Sequence, residues 1–141
     1  MVQLIVGEKG KGKTKYLLEK ANNAVKTADG NIVYIDKNAK HMYELSNRIR
    51  LIDASRYPIR TADQFIGFIC GVASQDHDLE LVFLDSFLTL IHEKDDAKAI
   101  RKYILELDEI GRQFNIDFVL SVSKDKEFLD PALYDFINIS L

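Results

Sequence analysis

The chain has 141 residues, 47% of them hydrophobic and 29% charged, with a net charge of −3. That length suits one domain, residues 1–141, able to bury about 68–70% of the surface its unfolded form would expose. One cysteine, three histidines without ligand spacing and only two prolines exclude a disulfide scaffold, a zinc site and long disorder.

Strand and helix patterns alternate along the chain. Val2–Val6 reads as a buried strand. From Thr14 to Ala28, Leu17, Leu18, Ala21, Ala24, Val25 and Ala28 recur at helical spacing. Asp29-Gly30-Asn31 is a stop signal, followed by a strand over Ile32–Ile35 that ends at Asp36. Residues 39–49 predict a helix with Met42, Leu45 and Ile49 on one face, and Leu51-Ile52 a short strand. Tyr57-Pro58 breaks the pattern. Thr61 is then placed to cap a helix carrying Phe65, Ile66, Ile69, Cys70, Val72 and Ala73, with Cys70 expected as a buried thiol. Leu81–Leu84 is a buried strand closed by Asp85. Residues 95–114 carry the clearest helical stripe, Ile100, Tyr103, Ile104, Leu107, Ile110 and Phe114, which is expected to pack on the sheet. A strand over Phe118–Leu120, a short helix near 127–135 with Pro131 early in it, and a last strand over Phe136–Ile139 complete the pattern.

Apolar strands separated by amphipathic helices predict an α/β fold: a three-layer αβα domain with a mostly parallel central sheet. Right-handed crossovers place the strand C-termini on one edge, where open α/β sheets bind ligands.

Gly7-Glu8-Lys9-Gly10-Lys11-Gly12-Lys13-Thr14 falls between the first strand and the first helix. It matches the phosphate-loop pattern G-x-x-x-x-G-K-[ST], the Walker A motif, at every fixed position. Glycines let the backbone turn its N–H groups inward, and the following helix adds the positive end of its dipole. Lys13 is expected to reach the β- and γ-phosphates and Thr14 to ligate Mg²⁺. Asp85, closing an apolar strand, reads as the Walker B acid that holds the Mg²⁺ shell.

Leu81-Val82-Phe83-Leu84-Asp85-Ser86 resembles the second ATPase motif of the RecA-like family, RecA, KaiC and RadA among them. Ile32–Ile35 is similar to their second strand. Phe118-Val119-Leu120-Ser121-Val122-Ser123 resembles the strand that ends in a polar γ-phosphate sensor. The resemblance implies a P-loop NTPase fold, Asp85 acting on Mg²⁺ through water, and Ser121 or Ser123 near the γ-phosphate. It also implies that the sensing strand lies between the phosphate-loop strand and the Asp85 strand. The chain departs from the family in having no Glu after its second strand, where Asp36-Lys37-Asn38-Ala39-Lys40 stands. Asp36 is the nearest substitute as a water-orienting base. A missing general base costs about 10²–10⁴-fold in rate.

Residues 1–40 hold eight lysines against four acids, giving +4, so the remainder carries −7. The early lysines flank the phosphate loop rather than forming the broad basic face that nucleic-acid binding needs. No apolar run is long enough to span a membrane, and the N-terminal apolar run is too short for a secretion signal, so the cytoplasm is the expected compartment. Arg56, Arg60, Arg101 and Arg112 read as surface charges, and the oligomeric state is not encoded legibly. The expected function is ATP and Mg²⁺ binding with weak ATPase activity, or a nucleotide-gated switch acting on a protein partner. ATP is preferred because no guanine-reading Asn-Lys-x-Asp is present. The alternatives are a small-molecule kinase or ATP-dependent transferase, since Lys9–Thr14 resembles the loop of corrinoid adenosyltransferases, and a non-catalytic nucleotide-binding adaptor.

Overall fold

The computed structural model describes residues 1–141. Six strands form one sheet: β1 (Val2–Val6), β2 (Asn31–Asp36), β3 (Ile49–Asp53), β4 (Leu79–Leu84), β5 (Asp117–Val122) and β6 (Ile137–Ser140), in the order β3-β2-β4-β5-β1-β6. Every pairing is parallel. All strand C-termini therefore open on one edge. β5 lies between β1 and β4.

Period-2 alternation divides the strands between two cores. Ile5, Ile32, Tyr34, Phe83 and Val119 face α1 (Lys13–Ala24), packing on Leu17, Leu18 and Ala21. Val33, Ile35, Val82, Leu84, Phe118 and Leu120 face the opposite way, toward α2 (Ala62–Ser74), α3 (Phe87–Leu90) and α4 (Ala97–Phe114). Helices thus cover both faces of a parallel sheet, an α/β arrangement compatible with three αβα layers. The stripe of α4 behaves as its spacing requires: Ile100, Ile104 and Leu107 are completely buried, each contributing about 1.5–3 kcal/mol. Phe114, at the helix end, is exposed.

Caps follow the sequence closely. Thr61 accepts a hydrogen bond from Gln64 N at the start of α2, and Asp96 from Lys98 N and Ala99 N at the start of α4. Two segments differ from expectation. Residues 39–49 form no α-helix: a single 3-10 turn, Met42–Glu44, leads through a turn at residues 45–48 into β3. Asn22 on α1 captures this segment, donating to Glu44 O at 2.8 Å and accepting from Ser46 N at 2.8 Å. The region 127–135 forms two 3-10 turns, Lys126–Phe128 and Pro131–Phe136, because Pro131 lacks an N–H and Asp130 caps the second turn. Cys70 is half-buried rather than buried.

Candidate functional site

The loop after β1 and the start of α1 are shaped by glycine. Gly10 and Gly12 both have φ +89°, in the left-handed region that favours glycine. Gly7 N donates to Lys124 O at 3.0 Å, which ties the loop to the end of β5. Gly12 is the N-cap of α1 and provides no side-chain cap, and the first turn has no acid. Its N–H groups are therefore not closed off as Thr61 and Asp96 close α2 and α4.

Lys13 is only 7% exposed. Its Nζ donates to Glu8 O at 2.9 Å, folding the ammonium back over the loop. Burial pulls its pKa below the usual lysine range, and the charges of Asp85 and Glu8 act against that shift.

Asp85 follows β4 and is 2% exposed. Three hydroxyls hold it. Thr14 Oγ1 donates to Oδ1 at 3.2 Å, Ser121 Oγ to the same oxygen at 2.7 Å, and Tyr34 Oη to Oδ2 at 2.8 Å. Strand parity explains the meeting. Tyr34, Phe83 and Val119 lie side by side in register on the α1 face; two residues further on stand Ser121 in β5 and Asp85 just past the end of β4. Ser121 Oγ also accepts from Ser86 N at 2.7 Å. Ser86 itself adopts a left-handed conformation, φ 58°, as the chain turns from β4 into α3. Burial, then the charge of Asp85 and the hydrogen bond to it, pushes the Tyr34 phenol far above its usual range.

The sequence marks Tyr34 only as a residue of the second strand. It is both core, stacked on Phe83 with ring centroids 5.9 Å apart, and the donor that fixes the second oxygen of Asp85. The signal was available: Tyr34 shares the parity of Asp36 in β2 and is in register with Phe83, two residues before Asp85.

A cavity of about 800 Å³ opens along the C-terminal edge of the sheet. Lys9, Gly10, Gly12, Lys13, Thr14, Asp85, Ser121 and Ser123 all line it, so most of the sequence-predicted site is brought together. Its fifteen lining residues include one hydrophobic residue, Leu88, so its chemistry suits a phosphate chain rather than a nucleobase. Lys37, Lys94, Asp95 and Lys124 were not anticipated as lining residues. They come from loops whose approach to the site depends on the fold of β2, α3 and β5.

Asp36 is separated from the rest. It is buried at the end of β2, accepts from Lys37 N at 2.7 Å, and is not among the cavity's lining residues. Burial and the nearby charge of Asp85 push its pKa from 3.8 up to about 6. Glu8, Lys11, Lys15 and Tyr16 are exposed, and Arg101 and Arg112 pair with Asp130 and Asp108 at 3.1 and 2.9 Å, outside the cavity.

No group of three or more His, Cys, Asp or Glu side chains is arranged to hold a metal. Among the hydroxyls and carboxylates on the cavity wall, Thr14 and Asp85 are hydrogen-bonded to each other beside the loop, a pair of hard oxygen donors that would suit Mg²⁺ if phosphate and water completed the shell. No helix is long and apolar enough to cross a membrane. The chain matches no protein-family model and no curated protein.

Proposed function

We propose that the chain is an ATP-binding P-loop NTPase of the RecA-like kind, a slow Mg²⁺-dependent ATPase or nucleotide-gated switch that acts on a protein partner in the cytoplasm. The observation that carries this reading is the Thr14–Asp85–Ser121 hydrogen-bonded set beneath a glycine loop bearing a buried lysine. The loop backbone and the open N-terminus of α1 receive the phosphates. The Lys13 ammonium exchanges Glu8 O for the β- and γ-phosphates. Thr14 would hold Mg²⁺ directly and Asp85 through water, and the metal would neutralise charge on the phosphate oxygens. Ser121 has its one hydroxyl proton on Asp85, so of the two sensor candidates Ser123, which also lines the cavity, is the one we assign to the γ-phosphate.

Slow turnover follows from the carboxylates. Asp85 and Asp95 are the only acids lining the cavity. Asp85 accepts three hydrogen bonds and Asp36 lies outside the lining, so no glutamate or free aspartate is aimed at an attacking water. The test is a thermal shift with Mg-ATP. Ligand at 100 times Kd raises stability by about 2.7 kcal/mol. Wild type should show that shift and Lys13→Ala should lose it; no shift in wild type refutes the reading. Turnover above about 1 s⁻¹ with Asp36→Ala unaffected would refute the slow mechanism.

A non-catalytic nucleotide-binding adaptor is the second reading, favoured by the lack of any glutamate in the cavity lining. Bound ATP that stays intact for many hours with the cellular partner present would select it.

A further inference from the structure

The terminal phosphate needs positive charge beyond Lys13, and none of the chain's arginines lines the cavity. Five lysines do: Lys9, Lys13, Lys37, Lys94 and Lys124. Apart from the buried Lys13, Lys124 alone among them has a side chain held by an ion pair and an aromatic ring. Its carbonyl accepts from Gly7 N at 3.0 Å and its own N–H donates to Val122 O at 2.9 Å, so its backbone is joined to the root of the phosphate loop. Its Nζ lies 4.5 Å from the Phe128 ring centroid and 3.1 Å from Asp95 Oδ1. Lys124 is thus held on the cavity wall, next to Ser123 and on the loop that anchors Gly7.

Its partner is the weak member of the pair. The Asp95 side chain is 89% exposed, and ion pairs with so much solvent contact are screened and worth little. Asp95 sits in the loop between α3 and α4, which includes His92 at φ 56° and runs into Asp96, the cap of α4. A phosphate group in the cavity offers Lys124 more charge than one solvated carboxylate does. It also repels Asp95.

We propose that Lys124 is an in-cis ligand of the γ-phosphate, and that it exchanges Asp95 for the nucleotide and so frees the α3–α4 loop. This rests on the nucleotide-binding reading above and names how one chain distinguishes a triphosphate from a diphosphate. The exchange forms and breaks only ionic contacts.

The test measures calorimetric affinities for Mg²⁺ with ADP and with a non-hydrolysable ATP analogue. Lys124→Ala should weaken the triphosphate analogue about tenfold and ADP less than about twofold, with Lys124→Arg restoring most of the loss. Asp95→Asn removes the competitor and should tighten the analogue several-fold, again without changing ADP. Hydrogen exchange over residues 91–98 should quicken with the analogue, not with ADP, and not in Lys124→Ala. An unchanged ratio of ATP-analogue to ADP affinity in Lys124→Ala, or weaker analogue binding in Asp95→Asn, overturns the proposal while nucleotide binding stands. If wild type binds neither nucleotide, the nucleotide-binding reading fails and this proposal fails with it.

Discussion

Removing one oxygen from Tyr34 tests how Asp85 is held. In Tyr34→Phe the ring keeps its stack on Phe83, 5.9 Å between centroids and 20° between planes, so packing is preserved. What disappears is the 2.8 Å donation to Asp85 Oδ2, a buried bond to a carboxylate. Hydrogen bonds to charged groups contribute about 1.5–3 kcal/mol, and the change leaves Oδ2 of a carboxylate only 2% exposed without its donor. Near this chain length a loss of 1 kcal/mol lowers Tm by about 4 °C, so the variant should melt about 6–12 °C below wild type. Urea unfolding of wild type, Tyr34→Phe, Asp85→Asn and the double variant would isolate the pair, with a coupling of at least about 1 kcal/mol expected. In the nucleotide-binding reading Tyr34 also orients a metal-holding carboxylate, so the Mg²⁺ concentration for half-maximal nucleotide binding should rise about tenfold or more. A Tyr34→Phe loss below about 0.5 kcal/mol, with no coupling to Asp85, would show that the bond does not anchor the carboxylate.

Asp36→Asn should stabilise the protein at neutral pH. A carboxyl raised from 3.8 to about 6 holds its proton more tightly folded than unfolded, so it favours the fold below about pH 4 and loses that advantage as pH rises to about 6. The gap is equivalent to at most about 3 kcal/mol. Asparagine keeps an oxygen for Lys37 N, so the variant should gain a large part of that at pH 7 and show a flatter profile between pH 4 and 6 in chemical denaturation; equal profiles would refute the shift. Gly30→Ala should cost about 1–3 kcal/mol by overpacking, because its Cβ would stand 2.3 Å from Asp78 O and 3.0 Å from the Glu80 Cβ. Because Gly30 is outside the cavity lining, the same variant should leave the nucleotide thermal shift unchanged.

What was legible in the sequence was whatever depends on local periodicity. β1, β2, β4 and β5 announce themselves as short apolar runs, and α4 as a stripe, because burial on a sheet imposes those spacings on any sequence. The phosphate-loop residues are legible for a different reason: the glycines answer a backbone requirement at φ +89° that other residues meet poorly. Residues 39–49 misled because Met42, Leu45 and Ile49 satisfy helical spacing while two of the segment's large side chains, Met42 and Tyr43, stay exposed. The deciding contacts come from Asn22, far away in sequence. α3 was missed because four residues, Phe87–Leu90, span a single turn and carry too little periodicity to separate a turn of helix from a continuing strand. The lysines that line the cavity from other loops were invisible for the same reason as the Asn22 tie: their place is set by loops meeting in space.

The charge balance of the cavity supports a holding device better than a fast hydrolase. Five lysines and an uncapped helix start face two aspartates. In the nucleotide-binding reading such a wall would attract a polyphosphate, but attraction that acts equally on a bound nucleotide and on its transition state lowers KM without raising kcat. Acceleration requires a group whose interaction grows as water attacks, and a base is the usual one. Asp85 is already engaged by Thr14, Tyr34 and Ser121, Asp95 by Lys124, and Asp36 is turned into the protein with Lys37 N on its carboxylate. Each acid near the site is committed to positioning something else. In the nucleotide-binding reading, gripping ATP therefore rearranges those commitments, the weakly held Lys124–Asp95 pair first, rather than cleaving the nucleotide. A partner that brings its own carboxylate or arginine to the open edge would convert the same grip into turnover.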